Sequence, residues 1–254
     1  MRALLTRMKS GTVELNYGRR VIAGMARRHA PPATEPIRVL DLGLGTAADL
    51  MNVRDALAPT TCELIGLESH APYIEAARAK GITVHEADLE RGPFPLEDGS
   101  AHVVVANQVL EHTKEIFWIA SEVSRVLKPG GVFIAGLPNL ASLHSRVMLA
   151  LGMQPSPIEV LGPHVRGFTR AGFRRFIETG GFFEVLETKG SNFYPFPKAI
   201  AAPLAALFPS LAVSVFFACR RTDNPGLFIE VLKARFFETA YRDGTGDGPC
   251  PIAR

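Results

Sequence analysis

The chain has 254 residues, of which 47% are apolar and 21% charged, and its formal net charge is +3. This length suits one α/β domain with additions or two small domains, and so small a charge excludes the basic footprint of a nucleic-acid-binding protein. Three widely spaced cysteines without a CxxC pair predict neither a zinc site nor a disulfide framework, and they indicate a reducing, cytoplasmic setting.

The first predicted elements are a helix and a linker. Residues 13–29 place apolar side chains at helical spacing, and the prolines of residues 29–36 end that helix. Strands and helices then alternate with short connections, which indicates a parallel sheet with helices on both faces. Strands are predicted at 37–43, 62–68, 82–88, 101–108 and 131–139, and helices at 46–58, 69–81 and 113–131.

After residue 139 the alternation loosens. The predicted elements are a helix at 140–152, a proline- and glycine-rich loop at 153–167, a helix at 169–181, and strands at 182–190 and 211–221. A last helix is predicted at 226–241, ahead of a glycine- and proline-rich tail. We therefore divide the chain into an N-terminal helix and linker (1–36), an α/β domain (37–221) with a lid region at about 140–170 and 192–210, and a C-terminal helix with a flexible tail (222–254).

Residues 199–218 carry no charge and reach the length of a membrane span. Pro203 and Pro209 divide this run, and its second half is short and rich in β-formers. Because a spanning helix seldom carries two prolines without neighbouring helices, we favour a helix, a turn and a buried strand over a membrane helix. The same run would also suit an apolar lid over a lipid-linked acceptor.

A glycine-rich turn follows the first predicted strand, in the stretch VLDLGLGTAADL at residues 39–50. Gly43 and Gly45 let a ligand approach the backbone, at the edge where open parallel sheets bind their ligands. A dinucleotide dehydrogenase would show GxGxxG, but Ala48 stands at its third position, and Asp41 would repel a pyrophosphate. Asp41 suits a ligand that carries an ammonium group, or it caps the turn or the helix.

Two further carboxylates end the next predicted strands. Glu68 ends the second strand, where a carboxylate can bind both ribose hydroxyls, and Asp88 ends the third, where it can accept from an adenine amino group. Together with Asp41 they describe a pocket for a nucleoside that carries a cationic amino-acid arm.

Four segments resemble, in order and spacing, the class I S-adenosylmethionine-dependent methyltransferases, especially the small-molecule branch of ubiquinone-type and MetW-like enzymes. They are VLDLGLGTA, LIGLE, EADLERGPFPLEDGSAHVVVANQVLEH and EVSRVLKPGGVFIAGLPN, and the match covers about residues 37–139. The resemblance implies a Rossmann-like, doubly wound α/β sheet of seven strands with the last strand antiparallel. It also implies S-adenosyl-L-methionine as the cofactor, bound by residues 37–221.

The resemblance assigns cofactor contacts to residues at the predicted strand ends. These are Asp41, Gly43 and Gly45 at the methionine part, Glu68 at the ribose, Asp88 at the adenine and Asn107 by the methyl-donor end, together with the neighbours Ser69 and Leu89. The third glycine that is usual in the family is Ala47 in this chain.

Methyl transfer to an oxygen needs a base, although the sulfonium donor is already activated. His112 lies just past the fourth predicted strand and His164 in the loop expected to cover the pocket, and either is predicted to be the base, with Glu111 orienting His112. A hydrogen-bonded structural role is the alternative for each histidine. No spacing of His, Asp and Glu indicates a metal site, and no GxSxG elbow indicates a hydrolase.

Two functions remain open from the sequence. The first is an enzyme that methylates a hydroxyl of a small-molecule or glycan-like acceptor, with nitrogen and carbon acceptors less favoured. The second is a non-catalytic, cofactor-binding regulatory or partner protein on the same fold. We expect no nucleic-acid partner and no transmembrane span, and a peripheral or lipid-linked acceptor stays open.

Overall fold

A seven-stranded sheet organises the part of the chain that the computed structural model describes, residues 18–234 and 241–243. The strands are β1 Ile37–Leu42, β2 Cys62–Glu68, β3 Thr83–Glu86, β4 Ala101–Asn107, β5 Leu127–Pro138, β6 Phe183–Ser191 and β7 Ser214–Arg221. The α-helices are α1 Arg19–His29, α2 Ala48–Leu57, α3 Ala71–Arg78, α4 Ile116–Val126, α5 Leu143–Ala150, α6 Arg170–Ile177 and α7 Lys198–Leu207.

The strand order is β3-β2-β1-β4-β5-β7-β6. The first five strands of this order are parallel, and β7 is antiparallel to both of its neighbours. All seven predicted strands are present, and the predicted Rossmann-like sheet with an antiparallel last strand is confirmed. From β1 the chain continues to β2 and β3 on one side of the sheet, and from β4 it continues to β5 on the other side. The strand order therefore reverses between β1 and β4, where open parallel sheets form their ligand crevice.

Some element bounds differ from the prediction. The helix predicted at 113–131 ends at Val126, and β5 already begins at Leu127. Lys128 precedes Pro129, and a residue before proline is driven towards extended backbone, so the helix cannot continue. Within the helix predicted at 226–241, Phe228–Ala234 form a 3₁₀ helix, and residues 235–240 lie outside the described residues. Residues 13–17 of the first predicted helix and the predicted tail after residue 243 lie outside the described residues.

Apolar layers cover both faces of the sheet, so β4, at its centre, is buried along nearly its whole length. Neighbouring residues of β7 divide between the layers, because Phe217 packs on the side of α4 and Phe216 on the side of α1. Helix α1 buries Ile22 and Met25 in the second layer. It is therefore packed on the sheet, although it precedes residue 37.

The uncharged run at 199–218 forms α7, a 3₁₀ turn at Pro209–Leu211 and most of β7, as predicted. None of the described helices is both long and apolar enough to cross a membrane. Leu143 of α5 packs with Ala201 and Ala205 of α7 in a small apolar cluster of their own. The two helices of the predicted lid region are therefore joined beside the carboxyl end of β5.

A buried arginine fixes the chain where it leaves the sheet. The guanidinium of Arg221 donates to five backbone oxygens, which belong to Ser124 at 2.9 Å, Thr222 at 2.8 Å, Asn224 at 3.0 Å, Gly226 at 3.1 Å and Phe182 at 3.5 Å. Burial lowers the pKa of Arg221, because the charged form is removed from water. The turn after β7 is thereby tied to the end of α4.

We expect Arg221→Lys to lower the free energy of unfolding by about 2–4 kcal/mol, since an ammonium has only three N–H donors, cannot bond to five divergent carbonyls and remains buried. Arg220→Lys is the matched control, because Arg220 is exposed and pairs only with Glu184 among the described residues. It should change stability by less than about 0.5 kcal/mol. Urea unfolding followed by circular dichroism measures both, and equal small effects would contradict the role assigned to Arg221.

Candidate functional site

The glycine turn lies at the carboxyl end of β1. Gly43 and Gly45 have φ values of +66° and +50°, which glycine adopts without strain. A Cβ on Gly43 would stand 2.9 Å from a methyl group of Val109, so the turn is also too close to its neighbour for a side chain. The amides of Gly43 and Leu44 donate to the carbonyl of Leu67, at 2.9 and 3.2 Å, and this fixes the turn to β2.

Ala47 precedes α2 and occupies the position at which the methyltransferases that this sequence resembles have a third glycine. Its φ is +62°, in the left-handed region that alanine rarely adopts. Its methyl group is fully buried in the apolar layer that contains Leu50 and Val53. The residue therefore combines backbone strain with apolar burial.

The carboxylate of Glu68 holds two turns together. One oxygen accepts from the amide of Gly45 at 2.9 Å, and the other accepts from the amides of Ser69 and His70 at 2.8 and 2.9 Å. The glycine turn after β1 is thus joined to the turn after β2. A carboxylate has about four acceptor positions, so Glu68 keeps capacity for a further hydroxyl donor.

A cleft of about 170 Å³ opens beside the glycine turn. Its lining residues come from α1, the turn, the start of α2 and the end of β4: Arg19, Gly43, Leu44, Gly45, Thr46, Ala48, Asp49, Asn107 and Gln108. The side-chain amide of Asn107 donates to Asp49 at 3.0 Å. Arg19 and Asp49 were not predicted, because α1 lies outside the matched segments and Asp49 has the pattern of an exposed helix residue.

Negative charge is concentrated next to this cleft. Asp41 is buried in β1, and burial raises its pKa well above the usual range, with the charges of Asp49 and Glu68 adding to the shift and Arg19 opposing it. Burial also raises the pKa of Asp49, against the hydrogen bond from Asn107 and the charge of Arg19. A cation that entered the cleft would stabilise the ionised form of both carboxyl groups.

Asp88 and Leu89 follow β3, which lies beside β2. The amide of Ala87 donates to the carbonyl of Glu68 at 3.1 Å, so the turn that carries Asp88 starts next to Glu68. The Asp88 carboxylate is exposed and accepts from the amide of Glu90, whereas Leu89 is half-buried against the core. The predicted residues at the ends of β1, β2 and β3 therefore lie along one edge of the sheet.

A second group of predicted residues meets just past β4. The ring centroids of His112 and His164 are 4.7 Å apart, although 51 residues separate them in sequence. The loop that carries His164 is held there because the amides of Val165 and Arg166 donate to the carbonyl of Glu111, at 2.9 and 3.2 Å. Glu111 is 1% exposed, and burial raises its pKa to about 7.

Part of the chain is similar to known methyltransferases. Residues 40–135 match the family model of a methyltransferase domain. A probable S-adenosylmethionine-dependent methyltransferase of Mycolicibacterium smegmatis is 33% identical over 136 residues, which cover 54% of this chain and 49% of that protein. Demethylmenaquinone methyltransferase of Chlorobaculum parvum is 28% identical over 63% of this chain and 75% of that protein.

A solved structure agrees with the fold. The S-adenosylmethionine-dependent methyltransferase of Mesorhizobium loti superimposes with a TM-score of 0.55 at 18% identity, covering 82% of this chain and 99% of that one. The first curated relatives are longer proteins, since this chain spans 31% and 49% of their length.

We expect Glu68→Ala to loosen both turns at the carboxyl ends of β1 and β2, because three backbone amides lose their acceptor. Unfolding free energy should fall by about 1–3 kcal/mol, and amide hydrogen exchange at Gly45, Ser69 and His70 should accelerate. Glu63→Ala, on the same strand, removes an exposed partner of Arg38 and should cost less than about 1 kcal/mol. Unchanged exchange at the three amides would show that Glu68 does not hold the turns.

Proposed function

We propose, from the premise that this chain carries a class I S-adenosylmethionine-dependent methyltransferase domain, that it transfers the methyl group of its cofactor to a small-molecule acceptor. The observation that carries the proposal is the glycine turn at the point where the strand order reverses, next to the buried Asp41 and the partly buried Asp49, whose carboxyl groups both have raised pKa values. The cofactor has an ammonium group and a sulfonium, and both are cations that these carboxyl groups would stabilise.

The methionine part of the cofactor would bind at the glycine turn. Gly43 and Gly45 leave space against the backbone, and Asp41 would favour the ammonium group. Arg19 lines the same cleft and supplies a guanidinium that can bind the cofactor's carboxylate. Asn107, held by Asp49, would lie by the methyl-donor end.

The nucleoside would extend along the edge of the sheet. Glu68 with Ser69 would bind the ribose, because the Glu68 carboxylate keeps acceptor capacity beyond its three backbone amides. Asp88 with Leu89 would bind the adenine, since the exposed carboxylate can accept from an amino group while the half-buried leucine offers an apolar contact.

We infer that the acceptor is a small molecule with a hydroxyl group and an apolar body. The loop at 151–168, which carries His164, exposes aliphatic side chains, including Val160 at 86% and Leu161 at 101%. The relative from Chlorobaculum parvum is named for an acceptor, demethylmenaquinone, and its match covers 75% of that protein. The exposed aliphatic side chains support the small-molecule alternative over the glycan-like one, and the hydroxyl group is carried over from the expectation of the sequence.

The proton of the hydroxyl would pass to His112 or His164. Both rings turn Nδ1 towards a backbone carbonyl, Pro163 for His112 at 3.4 Å and Pro157 for His164 at 2.8 Å. A carbonyl only accepts, so Nδ1 carries the proton and Nε2 keeps a lone pair in the neutral ring. Either ring is therefore prepared to take a proton at Nε2.

The first test is cofactor binding by calorimetry together with turnover of labelled S-adenosyl-L-methionine. We expect Asp41→Asn to weaken binding at least about tenfold, because it removes a charged partner of the cofactor. The same change should stabilise the cofactor-free protein by about 1 kcal/mol, or about 2–4 °C in melting temperature. The pKa of Asp41 is higher in the folded than in the unfolded state, so the free energy of unfolding falls as the pH rises from the ordinary aspartate pKa to the raised one. Asparagine does not ionise, so the variant does not lose this stability at neutral pH.

Asp55→Asn is the matched control, since this exposed carboxylate pairs with Arg54 on the far part of α2. It should leave both measurements unchanged. Asp41→Asn with full cofactor affinity would refute the assignment of Asp41. Cofactor binding without turnover for any acceptor of the proposed class would favour the non-catalytic alternative.

The second test compares His112→Ala and His164→Ala at saturating cofactor. A positioned base typically contributes about 100- to 10,000-fold, so turnover should fall by that factor in the variant that lacks it while cofactor affinity stays intact. His85→Ala, on β3, controls for the loss of a histidine elsewhere. We favour His112, because it follows a strand end rather than lying in a loop. Turnover near that of the unmodified protein in both variants would exclude both histidines as the base.

A further inference from the structure

We infer that Glu111, His112 and His164 form a binding site for a divalent transition-metal ion of the zinc class. Each residue offers one ligand atom, and the three atoms lie within 4.8 Å of one another. Two imidazoles and one carboxylate are the ligand set of catalytic zinc sites that keep an open position. Bonds of about 2.0 Å in a tetrahedron put ligand atoms about 3.3 Å apart, so a modest inward movement would complete the site.

The hydrogen-bond partners of both histidines favour the tautomer that leaves Nε2 free for a metal. Their Nδ1 atoms face the carbonyl oxygens of Pro163 and Pro157, so the Nε2 lone pairs are available. Metal-binding histidines almost always donate their other ring N–H to a carbonyl, carboxylate or water in this way, which fixes the ring orientation.

Glu111 supplies the independent observation. Its side chain is almost fully buried, and neither carboxylate oxygen has a hydrogen-bond partner among the described residues. Burying an ionised carboxylate without a partner costs several kcal/mol, so such a group binds either a proton or a cation. The cation position is defined, because one Glu111 oxygen belongs to the same 4.8 Å cluster as the two imidazole nitrogens.

The local backbone keeps the three ligands together. Glu111 and His112 lie in the 3₁₀ helix Leu110–His112, and the loop that brings His164 is bonded to the Glu111 carbonyl through Val165 and Arg166. A bound ion would therefore fasten the loop to the end of β4. No spacing pattern reveals the site, because two ligands are adjacent in sequence and the third is 53 residues after Glu111.

The ion would change how an acceptor is bound. Its open position would take the acceptor oxygen and lower the pKa of the hydroxyl, so the bound ion would replace the histidine base proposed for the metal-free protein, because both histidines would then be ligands. Metal binding itself needs neither cofactor nor acceptor, so it can be measured whether or not the proposed methyl transfer is correct.

The test uses the full chain without an affinity tag, stripped with EDTA and titrated with ZnCl₂ by calorimetry and with CoCl₂ by visible absorption. We expect one saturable site with a dissociation constant in the micromolar range or tighter, and cobalt absorption typical of nitrogen and oxygen ligands. Glu111→Gln and His164→Ala should each weaken binding at least about tenfold. His85→Ala should bind like the unmodified protein, which controls for histidines outside the cluster.

Three outcomes would overturn the inference: no saturable binding, equal affinity in Glu111→Gln, or equal affinity in His164→Ala. Glu111→Gln removes a buried charge and is expected to fold, and circular dichroism verifies this before titration. Zinc bound by cysteines would appear equally in all variants and would therefore count against the cluster.

Discussion

The hydrogen bonds from three backbone amides to the Glu68 carboxylate are the interaction on which the cofactor edge of this protein depends. They are geometrically available because β1 and β2 are parallel neighbours in register, with Leu42 opposite Leu67, so both strands end at the same height. The glycine turn is bonded to Glu68 through the Gly45 amide, and α2 begins directly after that turn. Asp49 and the cleft are thus positioned by a side chain on another strand.

The same arrangement brings carboxylates close enough to repel one another. Asp41, Asp49 and Glu68 converge at one edge of the sheet, and the pKa of Asp41 rises because burial and its neighbours both oppose ionisation. Arg19 relieves only part of this repulsion. A cationic ligand would relieve more of it, so selectivity for a positively charged cofactor and reduced stability without it have one physical cause.

The strands and the residues at their ends could be predicted from the sequence, because apolar runs define buried strands and the carboxyl ends of parallel strands lie at one edge of the sheet. It was not sufficient where contacts join distant segments. Arg19 reaches the cleft from a helix before the matched region, and the loop with His164 has no periodicity that would predict its return to β4. Glu111 was expected only to orient His112, since glutamate is rarely buried without a partner and composition gives no sign that it is.

At position 47, alanine and the usual glycine differ little in the stability that they give to the turn. The left-handed backbone destabilises alanine by about 1–2 kcal/mol relative to glycine. Burial of its methyl group contributes about 0.8 kcal/mol of stability that glycine lacks. The net difference between alanine and glycine is therefore only about 0.2–1.2 kcal/mol at this position. A search pattern that insists on three glycines would reject members of such a family for an energetic difference close to thermal energy.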